Sequence, residues 1–139
     1  MDTLLFITKI TAVLTVLYAG INIHQLTSSY GYLQTKAEEF RSAITEAGGF
    51  PRLARLNLLF YIVLPFSYLT LLRCSSLHLR ILAIVALKFI LTASLDLWIE
   101  KTILTGKNYS LSQHYLSRLD NLLNITSATT IIYSLLKAP

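Results

Sequence analysis

Lys88, Thr92 and Asp96 stand at i, i+4 and i+8 inside Leu79–Ile99, a stretch that is otherwise apolar. At helical periodicity these side chains form one polar stripe that drifts slowly round the helix. An ammonium and a carboxylate on a lipid-compatible helix can carry protons or ions, or they can fasten one helix to another. Both uses demand the same setting. A charge at bilayer depth costs about 3 kcal/mol or more, so the stripe has to face protein, and other hydrophobic segments must supply its surroundings.

Other reactive residue types are sparse. The histidines are His24, His78 and His114, and the single cysteine is Cys74. A haem or metal site needs convergent ligands at one depth. Only His24 and His114 fall on a common side, at loop edges and without supporting carboxylates, so no cofactor and no metal are expected. Cys74 excludes an internal disulfide and lacks the neighbours of a redox or metal motif, which leaves it as a bystander thiol. No Ser/His/Asp arrangement, paired intramembrane carboxylates or glycine-rich phosphate loop is present, so enzymatic activity is not expected.

The elements that must position the stripe follow from composition. The chain has 139 residues, 54% of them hydrophobic and 14% charged, with a mean hydropathy of +0.58. That is too apolar for an ordinary soluble domain and too short for more than one compact unit. The expected fold is an all-α integral membrane domain, a bundle of four transmembrane helices with one amphipathic interfacial helix between the first two. The spans are placed at about 3–23, 52–72, 79–99 and 119–136. The first lacks a basic n-region and is expected to stay in the mature protein.

Within the first span Thr8, Thr11, Thr15, Tyr18 and Asn22 recur at spacings of three and four, a seam of small and polar side chains suited to close helix packing. Lys9 beside it is expected to snorkel to the nearer interface. From 33 to 47 the apolar positions Leu33, Ala37, Phe40, Ile44 and Ala47 share a face, opposite Lys36, Glu38, Glu39, Arg41 and Glu46. Leu33, Phe40 and Ile44 are therefore expected to meet a partner or the lipid surface, and protein more than lipid because the charged face is nearly balanced. Gly48-Gly49 stops this helix, Pro51 can open the next, and Pro65 is expected to kink it.

Ser110 and Gln113 have capping-box spacing, from which one helix can run from Leu111 to Leu136. It turns Asp120, Asn124, Ser127, Ile131 and Ser134 to one side. Counting the rise in opposite directions brings Asp96 level with Asn124, and Lys88 level with Ser127 and Thr130. The expected helix–helix interface is therefore Thr8, Thr11, Thr15, Lys88, Thr92, Asp96, Asn124 and Ser127.

The formal charge of +5 contains no run of five basic residues, and the basic residues cluster just outside the apolar runs. That points away from nucleic acid and toward lipid headgroups or an acidic partner surface. Connections 24–54 and 101–118, with Arg55 at the edge of the first, carry seven Lys and Arg (Lys36, Arg41, Arg52, Arg55, Lys101, Lys107 and Arg118), against three (Arg73, Arg80 and Lys137) on the other side. The positive-inside rule then puts both long connections in the cytoplasm or its organellar equivalent, and both termini opposite.

Over about 20 residues, Arg52, Arg55 and Pro65 on the second span look similar to the glutathione-linked eicosanoid-pathway membrane enzymes. Asn57 is out of step with that pattern and Ile62 stands where it needs a Glu, so no function is carried across. The expected function is that of a non-enzymatic subunit, assembly factor or scaffold of a larger membrane complex. Its partners would be membrane lipids and other membrane subunits or a second copy of the chain. The alternative is a small oligomeric transporter or channel using Lys88 and Asp96, although the carboxylate lies about 12 Å from the midplane charge at 1.5 Å per residue.

Overall fold

Local signals cut the chain into five helices. The computed structural model describes residues 2–48, 50–75 and 77–137, and among them there are five α-helices and no strand. These are α1 (Asp2–Thr27), α2 (Tyr30–Glu46), α3 (Phe50–Cys74), α4 (Leu79–Leu104) and α5 (Leu111–Lys137). Gly49 and the side chains of Arg52 and Arg55 lie outside the described residues.

Caps explain where the helices begin and end. Helix α2 starts three residues before the apolar periodicity does, because Ser29 Oγ accepts from the Tyr32 amide at 3.2 Å. It stops where Gly48 takes a φ of 102°, a left-handed backbone that only glycine adopts without strain. Helix α3 runs unbroken through Pro65. Helix α4 opens on His78, whose Nδ1 accepts from the Arg80 amide at 3.3 Å, and it continues past the expected end at Ile99 to Leu104. Helix α5 has the reciprocal capping box: the Gln113 amide donates to Ser110 Oγ at 3.2 Å, and the Ser110 amide to Gln113 Oε1 at 3.0 Å.

Two of these helices are long and apolar enough to cross a membrane, over Thr3–Thr27 and Leu79–Leu104. Only 11% and 17% of their apolar windows is buried inside the protein, the reverse of a core helix in a soluble domain. Helix α3 contributes a shorter apolar stretch, Phe60–Cys74. Length and composition thus give two helices that could cross a membrane, where the sequence pattern predicts four.

Helix α1 packs against α5 and α3, and α4 against the same two. Neighbours run antiparallel: Thr11 and Thr15 of α1 meet Ser75 and Tyr68, and Lys88 and Thr92 of α4 meet Asp120. Leu72, Leu77, Leu82, Val85, Ile131 and Leu135 form the buried apolar cluster. Tyr68 and Phe89 pack edge to face against its flank, their ring centroids 5.9 Å apart. Helix α2 lies across the other end, against α4 and α3.

Candidate functional site

Lys88 turns toward α5. Its Nζ donates to Thr92 Oγ1 at 2.6 Å and forms a short ion pair with Asp120. Thr92 Oγ1 donates in turn to Asp120 Oδ2 at 3.0 Å. Asn124, one turn further along α5, donates from Nδ2 to the same oxygen at 3.0 Å and to Asn22 Oδ1 of α1 at 2.8 Å. Asn22 in turn donates to the Tyr18 carbonyl at 2.7 Å. One network therefore ties α4, α5 and α1 at a single level.

Its electrostatics are closed. The Lys88 and Asp120 side chains are 11% and 14% exposed, and each is the counter-charge of the other. The void beside them, lined by Tyr18, Phe89, Asn124 and Ser127, measures about 10 Å³. That is at the lower limit for a single water and far below a hydrated ion. Asn124 Oδ1 is the one atom of the network that is buried with no partner among the described residues. Such an arrangement ties α4, α5 and α1 in one register.

The remaining expected interface residues fall on either side of this level. Thr11 and Thr15 are fully buried, with Thr11 Oγ1 3.1 Å from Ser75 Oγ and Thr15 Oγ1 2.5 Å from Tyr68 OH. Thr8 is half-buried and bonds back to the Leu4 carbonyl of its own helix at 2.9 Å. Ser127 lines the small void. Between α3 and α4, Glu100 accepts from Asn57 Nδ2 at 2.6 Å and from Tyr61 OH at 3.1 Å, a pairing with no sequence-adjacent signal.

Asp96 lies elsewhere. Eight residues beyond Lys88 is about 80° round the helix at 100° per residue, which turns it away from the cluster and under α2. Asn124 is thus bonded to Asn22 and Asp120, and the expected level of Asp96 with Asn124 is not the one observed. The reason is axial: the six residues 105–110 tie the end of α4 directly to the start of α5, and this link, not the ends of the apolar runs, sets their register. Asp96 makes no hydrogen bond and no ion pair with any described residue, and it lines a cavity of about 570 Å³. Leu33, Ala37 and Phe40 of α2 form one wall and Ile99 and Ile103 the other. Ile44, further along the same face of α2, is buried.

Helix α2 is held over this cavity by Arg41. Its Nε donates to the Ile103 carbonyl at 2.8 Å and its Nη2 to the Lys107 carbonyl at 2.9 Å, so one guanidinium satisfies carbonyls at the C-terminal end of α4. At the other end Tyr30 OH donates to the Tyr109 carbonyl at 2.7 Å, and the two rings stack 5.9 Å apart. Burial raises the Tyr109 hydroxyl above its ordinary pKa, so it stays a neutral phenol at physiological pH. At the cavity mouth Lys36 Nζ meets Glu39 Oε2 at 2.6 Å, and that carboxylate raises the lysine pKa.

Sequence periodicity had already put Asp120 and Asn22 on the right faces, but not as partners. Arg41 and Glu100 act through contacts 62 and 43 residues distant, for which no local pattern exists. Comparison with protein-family models, with curated proteins and with solved structures finds no match for this chain.

Proposed function

We propose that this chain is a non-enzymatic subunit, assembly factor or scaffold of a larger membrane complex. The observation that carries this is the closure of Lys88: its charge is neutralised by Asp120, its hydrogen bonds go to Thr92 and Asp120, and the adjoining void is about 10 Å³. A transport site must load and release its cargo at such a charge, whereas a structural pair is spent on orientation.

In this proposal α3 and α5 span alongside α1 and α4, in a four-helix membrane bundle. Helix α5 is the least apolar of them, yet its outward hydroxyls are satisfied within the helix. Thr126, Thr129, Thr130 and Ser134 each donate to the carbonyl four residues earlier at 2.8–3.0 Å, so these four hydroxyls leave no free donor toward lipid. The outward surface is broad and apolar, with Phe6, Phe66 and Ile84 each more than 60% exposed, a surface for acyl chains and partner helices. The Lys and Arg asymmetry favours α2 and the α4–α5 link on the cytoplasmic side, with both termini opposite.

Extraction in native lipid particles tests the proposal. The chain should elute in an assembly larger than itself with stoichiometric partners or copies, and the purified protein in vesicles should conduct nothing above protein-free vesicles. Ion or proton flux by the purified protein, abolished by Lys88→Met at unchanged yield, would overturn it in favour of a transporter or channel.

A further inference from the structure

Asp96 supplies a carboxyl group that no described side chain bonds. Its side chain is half-buried, with no hydrogen bond and no ion pair to any described residue, while the other charges of the cavity, Lys36 and Glu39, cancel each other at 2.6 Å. The rest of the lining is mainly apolar, from Leu33, Ala37, Phe40, Ile99 and Ile103, with Gln25 and Ser117 as neutral polar groups. At about 570 Å³ the space is in the size range of small-molecule sites. A largely apolar chamber with one carboxyl group that no described side chain bonds is complementary to one kind of occupant. The apolar body of the ligand displaces water from the walls, and its ammonium pairs with the carboxylate that no described side chain bonds.

We propose that the chamber between α2 and α4 binds a monovalent amphiphilic amine, with its ammonium on Asp96 and its apolar part against Phe40 and Ile103. The geometry places the ammonium toward the protein interior and the body under α2. Arg41 anchors the roof of the chamber through its two carbonyl bonds. Amine-bearing lipids and free organic amines share the required chemistry.

The sole tryptophan, Trp98, lies two residues from Asp96 and serves as the donor for a binding measurement. The protein is reconstituted in phosphatidylcholine vesicles and titrated with a dansyl alkylamine carrying a free terminal amine, and separately with its N-acetylated counterpart. Energy transfer from Trp98 should saturate, with the amine bound about tenfold more tightly than the neutral amide. Asp96→Asn should abolish that preference and leave the amide unchanged. Ala37→Phe, which fills the chamber from its α2 wall, should weaken both probes. Competition by phosphatidylethanolamine supports a lipid amine as the occupant, and its failure a free amine. Equal binding of amine and amide by the parent, retention of the preference in Asp96→Asn, or full binding by Ala37→Phe would each overturn the proposal. The parent ratio and the Ala37→Phe titration decide the matter even where Asp96→Asn does not fold.

Discussion

Removing either half of the Lys88–Asp120 pair should be far worse than removing both. The two side chains are 11% and 14% exposed, so neither has water to fall back on. Two unit charges at about 4 Å attract by about 4 kcal/mol at an effective dielectric of 20, and deleting one partner of a buried pair typically costs about 3–5 kcal/mol. In Lys88→Met the Asp120 carboxylate keeps its Thr92 and Asn124 donors but loses its counter-charge. In Asp120→Leu the ammonium keeps Thr92 alone. Each single variant should therefore lose about 3 kcal/mol, about a 150-fold fall in the folded ratio. The double variant replaces the pair by two apolar side chains and should lie within about 1 kcal/mol of the parent. Reversible unfolding by SDS in mixed micelles, followed by Trp98 emission, gives all four corners of the cycle. The expected coupling is about 5–6 kcal/mol, the two single losses less the small cost of the double variant. Additive single effects, with coupling below about 0.5 kcal/mol, would refute the ion pair as the determinant of α4–α5 register.

Arg41→Met should free α2 from the C-terminal end of α4, lowering its local stability by about 1–3 kcal/mol. The readout is faster hydrogen exchange across 30–46 with α1 and α5 unchanged. Arg41→Lys should restore only part of this, because an ammonium does not reach both carbonyls as a planar fork does. In a Cys74→Ser background, cysteines introduced at the exposed positions Ser42 and His78 should label from opposite sides of the membrane, Ser42 being the protected one; equal labelling would end the four-span arrangement. Cys74→Ser alone should leave yield and assembly size unchanged on gel filtration, and loss of assembly would reveal a thiol role.

Features set within one turn of helix were legible in the sequence. The Ser110–Gln113 capping box depends on residues three apart, and the apolar face of α2 depends on a periodicity visible by eye. Even there the start moved to Tyr30, since Ser29 captures the Tyr32 amide regardless of where the apolar repeat begins. Pairings between helices were less legible. Lys88 and Asp120 each stood on a recognisable polar face, but which residues meet depends on axial register, fixed by the six-residue link 105–110 and not by the limits of the apolar runs. Arg41 had no local signal at all. A cation on the charged face of an amphipathic helix reads as solvated until the carbonyls of Ile103 and Lys107 are known to lie above it.

The two charges on α4 that are near neighbours in sequence end in opposite states. Lys88 and Asp96 are about 12 Å apart along the axis and about 80° apart around it. The first offset takes Asp96 from the level of the α1–α5 contact toward the level of α2. The second turns it off the face that meets Asp120. A single stripe is thus divided between a tightly packed junction, where a charge must be matched by protein because nothing else fits, and a chamber roofed by a separately anchored helix, where an occupant can supply the match. Shortening the stripe by one turn, with the acid at position 92 instead of 96, would bring both charges to the junction and leave the chamber neutral. The spacing of eight residues is therefore what allows one helix to contribute a structural ion pair at one level and an unmatched carboxylate at another.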